Sequence, residues 1–278
     1  MSRINTNVTS LNAQRNISQT NQAFGRTVGR LSSGFRINRA ADDAAGLGIA
    51  NKLRSDIRAL KQASSNATQA NSLLQVAEGA TNQISNIVDR MKELASQSAS
   101  DSVNNDGRAL IQAEFSQLQD EITRIVDTTK FQGTELLSGG TGDPLQFMVS
   151  VSGNAAGDGQ DFISLDVQDL TLTALGLDAS SLASRDDAVE AIGALDEAIG
   201  KISAALGDIG AAQNRLDFAQ ANVATTIENF SAAESVIRDA DFAAEASEFA
   251  RLQILQQSQI AMLAQANAAP QGVLQLIG

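Results

Sequence analysis

Residues 192–230 read IGALDEAIGKISAALGDIGAAQNRLDFAQANVATTIENF, and their apolar spacing decides the fold. Ile192, Leu195, Ile199, Ile202, Leu206, Ile209, Gln213, Leu216, Gln220, Val223, Ile227 and Phe230 alternate in steps of three and four without a slip. Such a stripe is the seam of a coiled coil. A seam this long needs partner helices of similar length. Ser184 followed by Asp187 resembles a capping box that opens the helix, with Asp in place of the usual Glu or Gln.

Working outward, a second helix supplies a partner. Leu53, Leu60, Ala67, Leu74, Thr81, Val88 and Ala95 fall seven apart, and Ala63, Ala70, Ala77, Ile84 and Met91 take the complementary positions. The register is poor at Asp56, where Ile57 takes over, and the alanines allow close approach. The pattern predicts a helix from about Ala44 to Ser98, roughly 80 Å long at 1.5 Å per residue. That exceeds the diameter of a compact domain of this length, so a rod is expected. Asp42 or Asp43 is placed to cap this helix, where a carboxylate suits the positive end of the dipole. Ile111, Phe115, Leu118, Ile122 and Ile125 mark a third helix, antiparallel to the second because the connection is short.

After Lys130 the period changes. Leu145, Phe147, Val149 and Val151 alternate with polar residues, as do Ile163, Leu165 and Val167, with the glycine-rich Gly153–Gly159 between them. This predicts a β-hairpin in a small acidic excursion. The fold class is therefore mainly α: an elongated antiparallel coiled-coil or helical-bundle rod with one small β-hairpin region.

The two ends of the chain remain without partners and can pair with each other. In the first, Ile4, Val8 and Leu11, then Phe24, Val28 and Leu31, form one apolar stripe, and Gly34 is a plausible helix stop. The last, Leu252–Gly278, reads LQILQQSQIAMLAQANAAPQGVLQLIG and carries no charge. Its apolar groups spread around much of a helix, which predicts enclosure. The glutamines and Pro270 interrupt it too often for a membrane span. A membrane-surface or pore helix would want Lys or Arg on its polar face, and this one has Gln, Ser and Asn.

Composition narrows the function classes. The chain has 278 residues with no Cys and no His, which removes disulfides, thiol nucleophiles, and the commonest general base and metal ligand. The net charge of −12 argues against nucleic acid as a partner. Its distribution is uneven. Every charged residue from Met1 to Ala41 is an Arg, whereas acids dominate from Asp143 to Glu197 and from Glu234 to Arg251. A basic N-terminal arm and an acidic partner near the C-terminus attract one another, within or between chains. No apolar run follows Arg3, so a secretory signal peptide is not expected.

The Asp42-Asp43 and Asp186-Asp187 pairs are explained by helix capping rather than acid–base chemistry, and Gly46-Leu47-Gly48 lacks the Lys-Ser/Thr of a phosphate loop. With no His, an HExxH zinc-protease site is impossible. No enzyme, cofactor or metal is expected.

Arg30-Leu31-Ser32-Ser33-Gly34-Phe35-Arg36-Ile37-Asn38, continuing to Asp42-Asp43-Ala44-Ala45-Gly46-Leu47, resembles the N-terminal signature of the bacterial flagellins. Ile237-Arg238-Asp239-Ala240-Asp241, Gln253-Ile254-Leu255-Gln256-Gln257 and Leu263-Ala264-Gln265-Ala266-Asn267 resemble the family's C-terminal segments. The likeness covers roughly residues 1–137 and 185–278, and the variable middle is short.

The resemblance implies a filament subunit exported by the flagellar type III route and located outside the cell. It implies an inner domain from residues 1–43 and 234–278, a rod domain from 44–137 and 184–233, and a short variable hairpin region, 138–183. Ile4, Val8, Leu11, Phe24, Val28, Leu31, Phe249, Leu252, Leu255 and Leu263 are then the inner-domain assembly residues. The implied partners are further copies of the chain, flagellar cap and hook–filament junction proteins, and an export chaperone at the C-terminus. Arg90, Leu94, Gln97 and Glu114 match positions that bind the innate immune receptor TLR5 in many flagellins, and packing between subunits is the competing role for them. Hook–filament junction adaptors share related terminal segments and are the alternative.

Overall fold

The structure, a computed structural model, describes residues 6–139, 144–150, 161–165 and 168–277. Its elements run α1 (Val8–Ser33), α2 (Ala44–Ser98), α3 (Asn105–Thr128), β1 (Lys130–Phe131), β2 (Thr134–Glu135), β3 (Leu145–Met148), β4 (Phe162–Leu165), α4 (Leu172–Leu175), α5 (Arg185–Arg238) and α6 (Phe242–Ile277). The mainly α reading holds, and α2 has the predicted limits. Two compact units divide the chain: Met1–Ile57 with Glu228–Gly278, and Arg58–Ile227.

In the second unit α2 and α5 run antiparallel. Gln220 donates to Thr68 Oγ1 at 3.0 Å, Gln213 to Glu78 at 2.9 Å and Lys92 to Asp196 at 2.5 Å, so each step up α2 is matched by a step down α5. Between them and α3 lies a core built on Leu74, Ile84, Met91, Phe115, Ile122, Leu195 and Ile202. The heptads put these side chains on one face of each helix, and their removal from water drives the packing.

The seam of α5 is rotated slightly from its sequence reading. Ala191, Ala198, Ala205 and Ala212 are buried, whereas Ile192, Ile199 and Leu206 are half-buried. Small side chains at the centre of a contact shorten the distance between helix axes. The branched residues then fill the flanks.

Short polar contacts end the helices. Arg108 donates to the carbonyls of Ser98 and Ser100 just where α2 stops, and Asn104 Oδ1 caps α3 by accepting from Gly107 N at 2.8 Å. At α5, Ser184 Oγ accepts from Asp187 N at 3.2 Å.

Two strand pairs appear where one hairpin was expected. β3 and β4 are antiparallel, with Phe147 opposite Ile163 and Met148 opposite Phe162. The expected extensions at Val151 and Val167 lie outside the described residues, as does the run 153–159. The additional pair, β1 with β2, turns at Gln132-Gly133, where φ is 49° and 88°. Two consecutive positive φ angles make the tight turn of a two-residue hairpin, usually signalled by Asn-Gly or Asp-Gly. Gln-Gly is a weaker signal, so the sequence did not announce it.

Residues 168–183 also contribute to the core. Leu170, Leu175, Leu177 and Leu182 are all buried. Gln119 of α3 donates to Leu177 O at 2.6 Å, and Gln112 accepts from Leu182 N at 2.5 Å. Apart from the single turn of α4 this segment is irregular and no periodicity marks it; its leucines alone hint at burial.

Candidate functional site: the paired terminal helices

In the first unit, α1 and α6 pack antiparallel. Phe24 and Phe249 stack with ring centroids 5.1 Å apart. Gln256 donates to Asn21 at 3.0 Å, and Ser10 donates to Asn267 at 2.8 Å. Asn7 serves twice: its Oδ1 caps α1 by accepting from Ser10 N, and its Nδ2 donates to Ala266 O at 2.8 Å. At the other end Arg30 lies 3.5 Å from Glu245, an ion-pair distance without a hydrogen bond at Glu245 Oε1.

The seam contains much that is not hydrophobic. Thr20, Thr27 and Leu252 are buried, while Ala13, Ile17, Phe24, Leu31, Phe249, Gln256, Gln259 and Leu263 are half-buried. Thr20, Thr27, Ala13 and Ile17 were missed because the strongest hydrophobes of α1 were read as one stripe. The 3/4 spacing Ala13, Ile17, Thr20, Phe24, Thr27, Leu31 marks the face that packs on α6.

The expected assembly residues therefore separate into two groups. Phe24, Leu31, Phe249, Leu252 and Leu263 turn towards the helix pair, with Leu255 half-buried at its edge. Val8, Leu11 and Val28 are exposed, which corrects the single stripe: a helix cannot hold Val8 or Leu11 on the same side as Phe24. Ile4 lies outside the described residues. On α6, Ile254 (64% exposed), Ile260 and Met262 also face outward. Apolar groups thus ring the uncharged part of α6, from Leu252 onward, although one side already has a partner.

A clasp closes the base of the pair. Gly34 ends α1 in the left-handed conformation, φ 75°, which a side chain disfavours. The next residue, Phe35, pairs antiparallel with Asp239. Arg36 N donates to Arg238 O at 2.7 Å and Ala240 N to Gly34 O at 2.9 Å. Arg238 lies over the Phe35 ring, 4.1 Å from its centroid, and 3.7 Å from Glu234. Its Nε and Nη1 make no hydrogen bond, so the ring face and the Glu234 charge offset their desolvation. Glu234 also receives Arg54 at 2.7 Å. Nearby, Asp43 Oδ1 caps α2 by accepting from Gly46 N. Asp42 instead accepts from Arg39 N and Asn38 N, and these amides hold its carboxyl below the ordinary aspartate value.

The candidate receptor residues lie in the other unit, on α2 and α3. Arg90 donates to Glu114 at 2.9 and 3.2 Å and to Glu93 at 2.8 Å. The bond to Glu114, followed by that to Glu93, raises the guanidinium pKa. Gln97 is exposed on the same helix. Leu94 is not: only 2% of it is accessible, and it belongs to the core. A receptor-binding role through direct contact would need Leu94 at the surface, and its burial corrects that: the core shared by α2, α3 and α5 widens the buried face of α2 beyond a two-helix seam.

Comparison with known proteins fits this geometry. The family model for the bacterial flagellin N-terminal helical region matches residues 4–141, and that for the C-terminal helical region matches 192–277. The flagellin of Halalkalibacterium halodurans is 43% identical over 276 residues, 99% of each chain. The chain belongs to the bacterial flagellins. Another relative within the flagellins' reach is the flagellar filament core protein flaB2 of Brachyspira hyodysenteriae, 39% identical over 282 residues and 99% of each chain. Among solved structures, Bacillus cereus flagellin is similar at 32% identity and a TM-score of 0.50, over 61% of this chain and 94% of that one. A structure assigned to the flagellar hook-associated proteins of Vibrio parahaemolyticus has a TM-score of 0.58 over 71% of this flagellin and 99% of that chain. At 15% identity, that likeness concerns the fold alone.

Proposed function

We propose that this flagellin is a structural subunit that polymerises into the bacterial flagellar filament and serves motility, leaving the cell by the flagellar type III route. The observation that carries the reading is the outer surface of the terminal pair. Ile254, Ile260 and Met262 on α6, with Val8 and Leu11 on α1, are exposed, and no charge occurs from Leu252 onward. Apolar groups on the open side of an already paired helix are what a neighbouring subunit covers. The compact terminal unit, Met1–Ile57 with Glu228–Gly278, supports the same role, the inner domain being residues 1–43 and 234–278 in this reading. The relatives' description as filament core proteins favours a bulk subunit over a hook–filament junction adaptor.

The wider partners belong to this reading. Copies of the chain form the extracellular filament, the cap and junction proteins meet it at its ends, and an export chaperone takes the C-terminal helix before assembly. TLR5 contacts the α2–α3 face at Arg90, Gln97 and Glu114, with Leu94 acting beneath it. Among the described residues, no helix is long and apolar enough to cross a membrane.

The test compares the full chain with a version ending at Arg251, incubated with sulfate and short filament seeds and viewed by negative-stain electron microscopy. Long filaments from the full chain and none from the truncation are expected. A full chain that decorates only seed ends would give the junction adaptor the better claim.

A further inference from the structure

Two helix faces, one in each unit, have complementary shape and charge. On α1, Gly25 and Gly29 open onto a groove whose other wall includes Asn38 and Arg39. A β-carbon built on either glycine meets nothing within 4 Å. Among the described residues their smallness therefore serves no packing, although glycine inside a helix is disfavoured relative to alanine. Arg26, Arg30 and Arg39 line the groove and make it basic. Its carboxylate, Asp42, is engaged by the Asn38 and Arg39 amides, and Arg30 is near Glu245. Among the described residues Arg26 and Arg39 have no ion pair.

The counterpart begins at the start of α5. Asp186, Glu190, Gly193, Glu197 and Gly200 follow one another in steps of four and three, share one face and are all exposed. Gly193 and Gly200 are likewise open to 4 Å. Among the described residues the three carboxylates have no ion pair. This face is a helix backbone left bare at two points and edged with negative charge.

We propose that this α5 face of one copy seats in the α1 groove of a second copy, with carboxylates against guanidiniums and bare backbone against bare backbone. The contact rests on the filament reading above and names one of its interfaces. Because the two surfaces differ, the contact is head-to-tail, and such a contact continues into an open helical polymer when its rotation does not close. Charge complementarity sets register and speeds encounter.

The chain has no cysteine, so disulfide trapping has no background. Full-length Gly25→Cys and Gly193→Cys chains are mixed, polymerised on seeds and oxidised. A cross-linked dimer is expected at least about tenfold above that from Gly25→Cys mixed with Gly79→Cys, since a disulfide needs α-carbons within roughly 7 Å. In a second arm, Arg26→Glu with Arg39→Glu slows seeded elongation about tenfold, and adding Glu190→Arg with Glu197→Arg restores it. Filaments that give no excess cross-link, or a charge-reversed chain that elongates at the unmodified rate, overturn the groove contact and leave the filament reading standing. An unmodified chain that forms no filament overturns both.

Discussion

The α2–α3–α5 core and the α1–α6 pair are both antiparallel helix packings, yet their seams have different chemistry. Phe115, Leu74, Ile84, Ile122 and Leu195 fill the first and leave almost no accessible surface. In the second, Thr20, Thr27 and Gln259 share the seam with Leu252 and two half-buried phenylalanines, while Ile254 and Met262 face outward. A dry apolar core stabilises a unit by itself. A dilute seam contributes less, and hydrophobes on its outer side add stability only when something covers them. The three-helix core and the terminal pair thus divide the work: one holds its unit together and the other has an apolar outer side left to cover.

The largest expected effect tests the core. Phe115→Ala should lower unfolding free energy by about 3–5 kcal/mol, read from urea titration by circular dichroism. Leu252→Ala should cost at most about 2 kcal/mol, because its surroundings can close over the gap. Equal losses would erase the distinction.

A smaller stability effect should accompany a larger assembly effect at the outer face. Ile254→Glu is expected to leave the unfolding free energy within about 0.5 kcal/mol of the unmodified chain. Seeded elongation, followed by light scattering and electron microscopy, should fail. Normal filaments from this variant would mean the exposed groups of α6 are not covered by a neighbour.

The smallest effect concerns pH. Asp42 is held low by the Arg39 and Asn38 amides, Glu121 by Arg124, Glu135 by Lys130 and Glu248 by Arg251. A lowered carboxyl pKa stabilises the fold above the unfolded value, and that contribution disappears as pH falls through the folded one. These groups are exposed, so each contributes little. With no His, the melting temperature should be flat from about pH 6 to 8 and should decline below about pH 4.5. A shift between pH 6 and 8 would point to a group outside this set.

The helices were legible because their signals are long and local. The heptads from Leu60 to Ala95 match the buried face of α2, with Leu53 half-buried, and Gly34 ends α1 as its position suggested. Alternation at Leu145, Phe147 and Ile163 marked β3 and β4. Other features depended on tertiary context. The central row of α5 is alanine because several elements crowd around it, and Leu94 is covered for the same reason. Val8 and Leu11 shared hydrophobicity with Phe24 but not its face. The clasp was less legible still: the β-bridge of Phe35 with Asp239 joins residues over 200 positions apart through backbone atoms, on which side-chain identity has little to say.

The register of β3 and β4 has a consequence for what the chain can tolerate. Met148 faces Phe162, and Val149 N donates to Asp161 O at 2.9 Å, so the strand ends on either side of residues 151–160 stand side by side. Added length at that position leaves every heptad in phase, since it is inserted within none of the long helices, and each doubling of a flexible loop costs only about 0.6 kcal/mol in closure entropy. The same insertion inside α2 or α5 would rotate all that follows away from its partners. The open end of the β3–β4 pair is thereby a place where chain length can vary without disturbing the long helices.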